Sequence, residues 1–121
     1  MRNAIRWVEI PAVNIERAAA FYRKLYDTPL NVVEAGSRKL VVLPFDQGGV
    51  GASLNQTDNF PPNDQGPLAY LDAGEDLMPM LNRVEAAGGK IITPKQDLGG
   101  TGFFAVFRDS EGNGIALMSS N

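Results

Sequence analysis

The 121-residue sequence contains neither cysteine nor histidine. Without cysteine, disulfides, thiolate metal sites and a cysteine nucleophile are excluded. Without histidine, a Ser-His-Asp triad is excluded, and so are the histidine-rich sites that hold most catalytic zinc and non-haem iron. Any metal would have to bind to clustered carboxylates, which suit Mg²⁺ and Ca²⁺.

Long apolar runs and strongly basic regions are also missing. No apolar run approaches the roughly 18 residues that a membrane helix needs, so no membrane partner is expected. The N-terminal residues lack the apolar region and cleavage site of a secretory signal, which predicts a cytoplasmic location. The net charge is −3, and there is no basic stripe, so no nucleic-acid partner is expected.

Hydrophobic periodicity and turn residues predict eight strands and two helices. Asn14 is a good N-cap for the first helix, in which apolar residues recur at helical spacing. Pro79 lies in the first turn of the second helix, where it is tolerated, and Gly88-Gly89 ends that helix. The predicted elements are strand 3–11, helix 15–26, strands 30–35, 39–45 and 50–54, then strand 68–72, helix 75–87, and strands 90–94, 103–108 and 115–118.

The element order is βαβββ, a polar connector, and βαβββ again. Such a repeat indicates two copies of one supersecondary unit. We therefore predict an α+β fold in a single domain, 1–121, made of module 1–55, connector 56–66 and module 67–121. The register matches Trp7 with Pro67, and Ser53 with Ala116.

Three stretches carry a resemblance to a known family. They are VEIPAVNIERAAAFYRKLY at 8–26, RVEAAGGKI at 83–91 and RDSEGNGIAL at 108–117. The last is similar to a D-P-x-G-N turn, with Ser110 in place of proline. On these stretches and the repeat, the chain resembles the vicinal oxygen chelate superfamily, the glyoxalase/bleomycin-resistance/dioxygenase group.

The resemblance implies that each module is a curved half-barrel and that two modules form a half-open cup for metal and substrate. It also implies a homodimer, which often completes the cup. Family metalloenzymes take ligands from the first and last strand of each module. Those positions correspond here to Trp7, Ser53 (or Ala52), Pro67 and Ala116. They offer at most one hydroxyl, so we expect the fold without a metal, and no cofactor.

Side chains two residues apart on a strand point to the same face, so each of these four positions shares its face with a neighbour. Glu9 joins Trp7, Asn55 joins Ser53, and Met118 joins Ala116. Ala69 joins Pro67 by the same rule, and Phe104 is a further candidate. Together these give the mostly apolar lining that is typical of a small-molecule pocket. The predicted ligand-binding residues are Trp7, Glu9, Ser53, Asn55, Pro67, Phe104, Ala116 and Met118.

Three functions are compatible with this cup. The first is a metal-free protein that binds a small aromatic or amphipathic ligand, with Trp7 stacking on it and Glu9 and Ser53 anchoring it. The second is a metal-independent lyase, isomerase or hydrolase with Glu9 as the catalytic acid or base, which requires a buried, unpaired carboxylate. The third is a dimerisation module whose cup Trp7 fills. If the register that assigns the four ligand positions is wrong, a glyoxalase-type metalloenzyme is a further alternative.

Purely structural roles for these residues are also open. Glu9 could instead pair with an arginine or lysine on a neighbouring strand. Asp109, Gly112 and Asn113 are expected to be turn residues without chemistry.

Overall fold

Each half of the chain forms one four-stranded sheet in the computed structural model, which describes residues 3–121. The first half contains β1 (Trp7–Pro11), α1 (Ile15–Tyr26), β2 (Val33–Ala35), β3 (Arg38–Val42) and β4 (Gly51–Gln56). The second half contains β5 (Ala69–Asp72), α2 (Met78–Leu81), α3 (Val84–Ala87), β6 (Lys90–Asp97), β7 (Phe103–Arg108) and β8 (Gly114–Ser119).

The two sheets have the same topology. Their strand orders are β1-β4-β3-β2 and β5-β8-β7-β6. In each, the first strand pairs in parallel with the last, and the other pairs are antiparallel. Among residues 3–121 no strand of one sheet pairs with the other sheet, so the barrel stays open. The predicted α+β fold of two βαβββ units is confirmed, while the module boundaries stay a prediction.

Helix α1 has the predicted bounds, and side chains satisfy two of its first backbone N–H groups. The Asn14 side chain accepts a hydrogen bond from the Arg17 N–H at 3.1 Å. The Gln56 side chain accepts from the Ile15 N–H at 2.8 Å. At the other end, Asp27 adopts a left-handed conformation and its N–H satisfies carbonyls of the last turn. Such caps stabilise a helix end by about 1 kcal/mol each.

The second predicted helix, 75–87, is instead the two short helices α2 and α3. The Arg83 N–H donates to the Met80 carbonyl three residues back, rather than to the carbonyl of Pro79. This tighter turn interrupts the helix. Gly88 ends α3 with a φ of 109°. A Cβ atom on Gly89 would lie 2.5 Å from the Arg108 carbonyl oxygen, so only glycine lets the chain pass this close to β7.

Several strand ends also differ from the prediction. The first strand begins at Trp7 rather than at residue 3, and only Val33–Ala35 of the predicted strand 30–35 pairs. Strand β6 continues to Asp97 through two register shifts. Strand β5 begins at Ala69, so Pro67 precedes the strand instead of lying within it. None of the helices within residues 3–121 is long and apolar enough to span a membrane.

The helices and one face of each sheet share a single core. Helix α1 contacts α2 and α3 of the other half. The Phe21 ring lies 4.9 Å from Tyr22 and 5.9 Å from Phe107 on β7, measured between ring centroids. We call the opposite face of each sheet, which points away from this core, its outer face. The largest fully buried apolar side chains come from both halves: Tyr22, Phe21, Phe107, Leu25, Leu54, Leu77, Leu117, Val41 and Val84.

Residues 109–113, which we call the docking turn, fasten the second half to the first. The Glu111 carboxylate accepts hydrogen bonds from the backbone N–H groups of Val13 and Asn14, at 2.9 and 2.8 Å. The same carboxylate pairs with the Arg17 guanidinium at 2.6 Å. It therefore places a negative charge at the N-terminus of α1, where the helix dipole favours one.

Two further side chains of the docking turn, Asp109 and Asn113, also form contacts between the halves. The buried Tyr22 hydroxyl donates to Asp109 Oδ2 at 2.8 Å. The Asn113 amide donates to the Pro11 carbonyl at 2.7 Å and to Asp109 at 3.0 Å. Burial, together with the nearby Asp109 charge, raises the pKa of Tyr22 well above 10.0, so this phenol stays a donor.

The charge on Glu111 makes this docking dependent on pH. Burial acts to raise the pKa of Glu111, but the hydrogen bonds from Arg17 and the Asn14 N–H outweigh it, and the pKa lies below its ordinary 4.5. A carboxyl whose pKa is lowered by folding stabilises the folded state at pH values above its unfolded pKa. That contribution is lost as the pH falls through the folded pKa.

We expect Glu111→Gln to lower the free energy of unfolding by about 2 kcal/mol at neutral pH, because charge-assisted hydrogen bonds are lost. Urea denaturation measures this loss. The difference from wild type should shrink as the pH falls below about 4.5, because protonation removes the same charge in wild type.

The matched control is Glu75→Gln, at an exposed turn position. It should change stability by less than about 0.5 kcal/mol at any pH. An equal effect of the two variants would contradict the docking role of Glu111.

Candidate functional site

The outer face of the first sheet brings together four predicted site residues. Glu9 on β1 lies beside Ser53 on β4 in the parallel pair. Trp7 and Asn55 lie two residues away on the same strands, so alternation puts them on the same face. The face also carries Val42, which lies opposite Ser53 on β3.

Trp7 lies against the sheet while remaining 40% exposed. A Cβ atom on Gly51 would approach ring atoms of both Trp7 and Phe45 to 2.8 Å, so the missing side chain makes room for these rings. The two rings meet edge to face, with centroids 5.4 Å apart. The Trp7 Nε1–H donates to Ser53 Oγ at 3.1 Å, which fixes the orientation of the indole.

Asn55 continues this polar chain from Ser53 to an arginine. In the amide orientation that satisfies its neighbours, Asn55 Nδ2 donates to Ser53 Oγ at 2.6 Å. Its Oδ1 then accepts from Arg38 Nη2 at 2.9 Å. Ser53 and Asn55 are only 3% and 1% exposed. They therefore hold exposed groups in place rather than present polar atoms to solvent.

The chain ends in an ion pair between Arg38 and Glu9, with Arg38 Nη2 2.6 Å from Glu9 Oε2. The two side chains are 43% and 42% exposed. Glu9 is thus paired and accessible. An acid or base role would instead require a buried, unpaired carboxylate. The arginine reaches across β4 from β3, because the strand order places β4 between them.

Sequence reasoning missed Arg38 as a site residue. Arg38 opens β3 directly after a turn, and its pairing with Ala35 places it at the end of the hairpin. The signal was the alternation of Arg38 and Leu40 along β3, since Leu40 lies opposite Asn55. This alternation identifies Arg38 as a site residue only when the register between β3 and β4 is known, and the sequence alone does not specify that register.

The outer face of the second sheet holds the other candidates in a different arrangement. Met118 lies opposite Phe104, and Ala116 lies beside Tyr70. Tyr70, not Ala69, therefore shares a face with Ala116, and the predicted register of β5 is wrong by one residue. Ala116 has no accessible surface, whereas the Tyr70 ring is exposed and lies 6.4 Å from the Phe104 ring.

Two cavities lie near the sheets, one at the connector and one on the second sheet. The larger, of about 330 Å³, lies between the connector and the ends of β1 and β4, and it contains none of the predicted ligand-binding residues. The smaller, of about 290 Å³, lies on the second sheet and includes Tyr70, Asp72 and Met118. The Trp7 side chain borders neither cavity and lies on the outer face of the first sheet.

Both outer faces leave large apolar side chains exposed. On the first sheet, Val33 on the far edge strand β2 and Val42 on β3 are 49% and 41% exposed. On the second sheet, Tyr70 is 47% exposed.

The four positions that the family resemblance assigns to metal ligands present few donors here. Ser53 contributes one hydroxyl, and that oxygen accepts the Trp7 N–H. With the register of β5 corrected by one residue, Leu68 rather than Pro67 is the counterpart of Trp7. The side chains of Trp7, Leu68 and Ala116 contribute no oxygen or imidazole ligand. Within residues 3–121, no three histidine, cysteine, aspartate or glutamate side chains are grouped so that they could hold a metal ion.

One protein family matches the chain. The model of the Glyoxalase/Bleomycin resistance protein/Dioxygenase superfamily matches residues 4–117. Among curated proteins, no sequence matches this chain.

Solved structures agree on the fold. A glyoxalase/bleomycin resistance protein from Albidiferax ferrireducens T118 has a TM-score of 0.73 at 17% identity, covering 98% of this chain and 100% of that chain. A glyoxylase/bleomycin resistance protein/dioxygenase domain from Frankia sp. EAN1pec has a TM-score of 0.70 at 17% identity, covering 100% of both chains. At such identities the likeness shows the fold alone.

We expect Gly51→Ala to push the Trp7 and Phe45 rings off the sheet, because the added methyl group occupies their space. The free energy of unfolding should fall by about 1 kcal/mol, since both rings are partly exposed and able to move. The fluorescence of Trp7, the chain's single tryptophan, should change in the folded protein.

Gly48→Ala is the matched control, since a Cβ there meets nothing within 4 Å, although its φ of 87° adds backbone strain. It should lower stability without altering the folded-state emission. Unchanged emission in Gly51→Ala would contradict the described placement of Trp7.

Proposed function

The chain belongs to the Glyoxalase/Bleomycin resistance protein/Dioxygenase superfamily, and we propose that within it the protein binds a small aromatic or amphipathic molecule without a metal. The ligand lies on the outer face of the first sheet, against Trp7. The observation that carries this proposal is the held but exposed indole. An aromatic ring that is fixed by a hydrogen bond loses little conformational freedom when a ligand stacks on it.

The polar chain behind Trp7 supports a binding role. Ser53 and Asn55 are buried and bonded on both sides, so they keep Trp7 and Arg38 in fixed positions. Preorganised groups of this kind raise affinity, because they are already ordered in the free protein and lose little conformational entropy on binding. Glu9 and Arg38 then provide the exposed polar contacts.

The charges on this face disfavour a metal. Glu9 is the only carboxylate among the predicted site residues, and the Arg38 guanidinium lies 2.6 Å from it. A divalent cation at Glu9 would be repelled by this guanidinium. The donor set therefore does not fit a family-type metal, and no step through a metal is proposed.

A second copy of the chain completes the site in this proposal. Both outer faces expose apolar side chains, and one twofold-related copy covers the two faces at once, as closed symmetric dimers do. The Trp7 face of one copy then lies opposite a face of its partner. A ligand between them is shielded from water on two sides.

The geometry gives less support to the alternatives. Glu9 is exposed and paired with Arg38, whereas the acid–base alternative requires a buried, unpaired carboxylate. The 40% exposure of Trp7 does not favour a ring that only fills space. The cytoplasmic location stays a prediction from the sequence.

Titration with a cell metabolite extract tests the binding proposal. We expect the extract to change Trp7 fluorescence in dialysed, chelator-treated protein, because the ligand contacts the indole. Ser53→Ala frees the indole N–H and should weaken this response by about tenfold in apparent affinity. A response that appears only after a divalent metal is added would contradict the metal-free proposal.

The dimer is tested with a charge on the outer face. Val42→Glu should weaken self-association by at least about tenfold, because the new carboxylate would be buried between two copies. Analytical ultracentrifugation measures this change. Ala20→Glu, at an exposed position of α1, is the matched control and should leave association unchanged; equal behaviour of the two variants would contradict the proposed interface.

A further inference from the structure

We infer that the ligand is a zwitterion: a small molecule with an ammonium and a carboxylate group side by side on an aromatic body. This inference rests on the proposed function and adds the chemical class of the ligand. It follows from the ion pair between Glu9 and Arg38 and from its position beside Trp7.

Both members of the ion pair keep free bonding atoms. Within residues 3–121, Arg38 uses Nη2 for Glu9 and Asn55, and Nη1 has no protein partner. Glu9 uses Oε2, and Oε1 has no protein partner in the same range. The two side chains are 43% and 42% exposed. In the described part of the chain, Arg38 Nε is the one side-chain nitrogen or oxygen that is buried without a partner, so Nη1 and Oε1 are not enclosed. The pair therefore presents a donor and an acceptor next to each other.

The charges of the pair select against ligands with a single charge. Glu9 and Arg38 neutralise each other, so a simple anion is attracted by the guanidinium but repelled by the carboxylate beside it. A simple cation is attracted by the Glu9 carboxylate but repelled by the Arg38 guanidinium. A zwitterion places its carboxylate at Arg38 and its ammonium at Glu9, and both contacts are attractive without breaking the existing pair.

The distance along β1 places the rest of such a ligand over the indole. Trp7 and Glu9 lie two residues apart on the same face, which corresponds to about 7 Å along a strand. A head group bound at Glu9 and Arg38 therefore leaves a side chain of one ring's length above Trp7 and Phe45. These two rings meet edge to face, which favours an aromatic body that packs against either ring.

Three probes with the same ring separate the charge requirements: phenylalanine, 3-phenylpropionate and phenethylamine. We expect phenylalanine to bind at least about tenfold more tightly than either singly charged probe, since each loses one charged contact. Trp7 fluorescence, excited where phenyl rings do not absorb, reports binding of all three.

Variants assign each preference to one residue. Arg38→Gln should remove the preference for phenylalanine over phenethylamine, and Glu9→Gln the preference over 3-phenylpropionate. Lys39→Gln is the matched control. It removes a charge from the next residue of β3, on the other side of the strand, and should leave both preferences intact.

The outcomes separate this inference from the proposed function. Equal binding of the three probes, or weaker binding of phenylalanine, overturns the inference and leaves small-molecule binding in place. A fluorescence response to the metabolite extract with none to any probe does the same. No response to extract or probes overturns both. Loss of the preferences in Lys39→Gln as well would also count against the assignment.

Discussion

The Glu111 carboxylate at the N-terminus of α1 is the interaction on which the relative placement of the two halves depends. It comes from the docking turn of the second half, satisfies two backbone N–H groups of the first, and pairs with Arg17. Tyr22 and Asp109 add a second polar contact nearby, deep in the core. These groups combine direction with burial, so they select one orientation where apolar packing alone would allow several.

This placement determines what the outer faces can do. Because the core lies between the helices and the inner faces of the sheets, Trp7 and Tyr70 remain exposed on the opposite faces. The polar chain from Trp7 to Glu9 then lies on an open sheet instead of in an enclosed cavity. The contacts that hold the two halves together lie at the docking turn and in the core, so the outer face of the first sheet takes no part in them.

The sequence predicted α1 well because its capping residue and apolar spacing are local, and it predicted the repeat because the element order is local too. The predicted helix 75–87 is instead two short helices, because the Arg83 N–H bonds to the carbonyl three residues back, which the apolar spacing of the sequence does not reveal. The register of β5 was wrong because Pro67 looked like the counterpart of Trp7. Arg38 was missed because the ion pair joins strands that are not neighbours, and only strand order and register bring them together.

We propose above that the exposed, preorganised Trp7 face binds a small organic molecule without a metal. Native mass spectrometry of gently purified protein tests it most directly, because one spectrum reports the oligomer, any metal and any co-purified molecule. We expect a dimer that carries an organic adduct and no stoichiometric metal. A stoichiometric divalent metal at each site would contradict it.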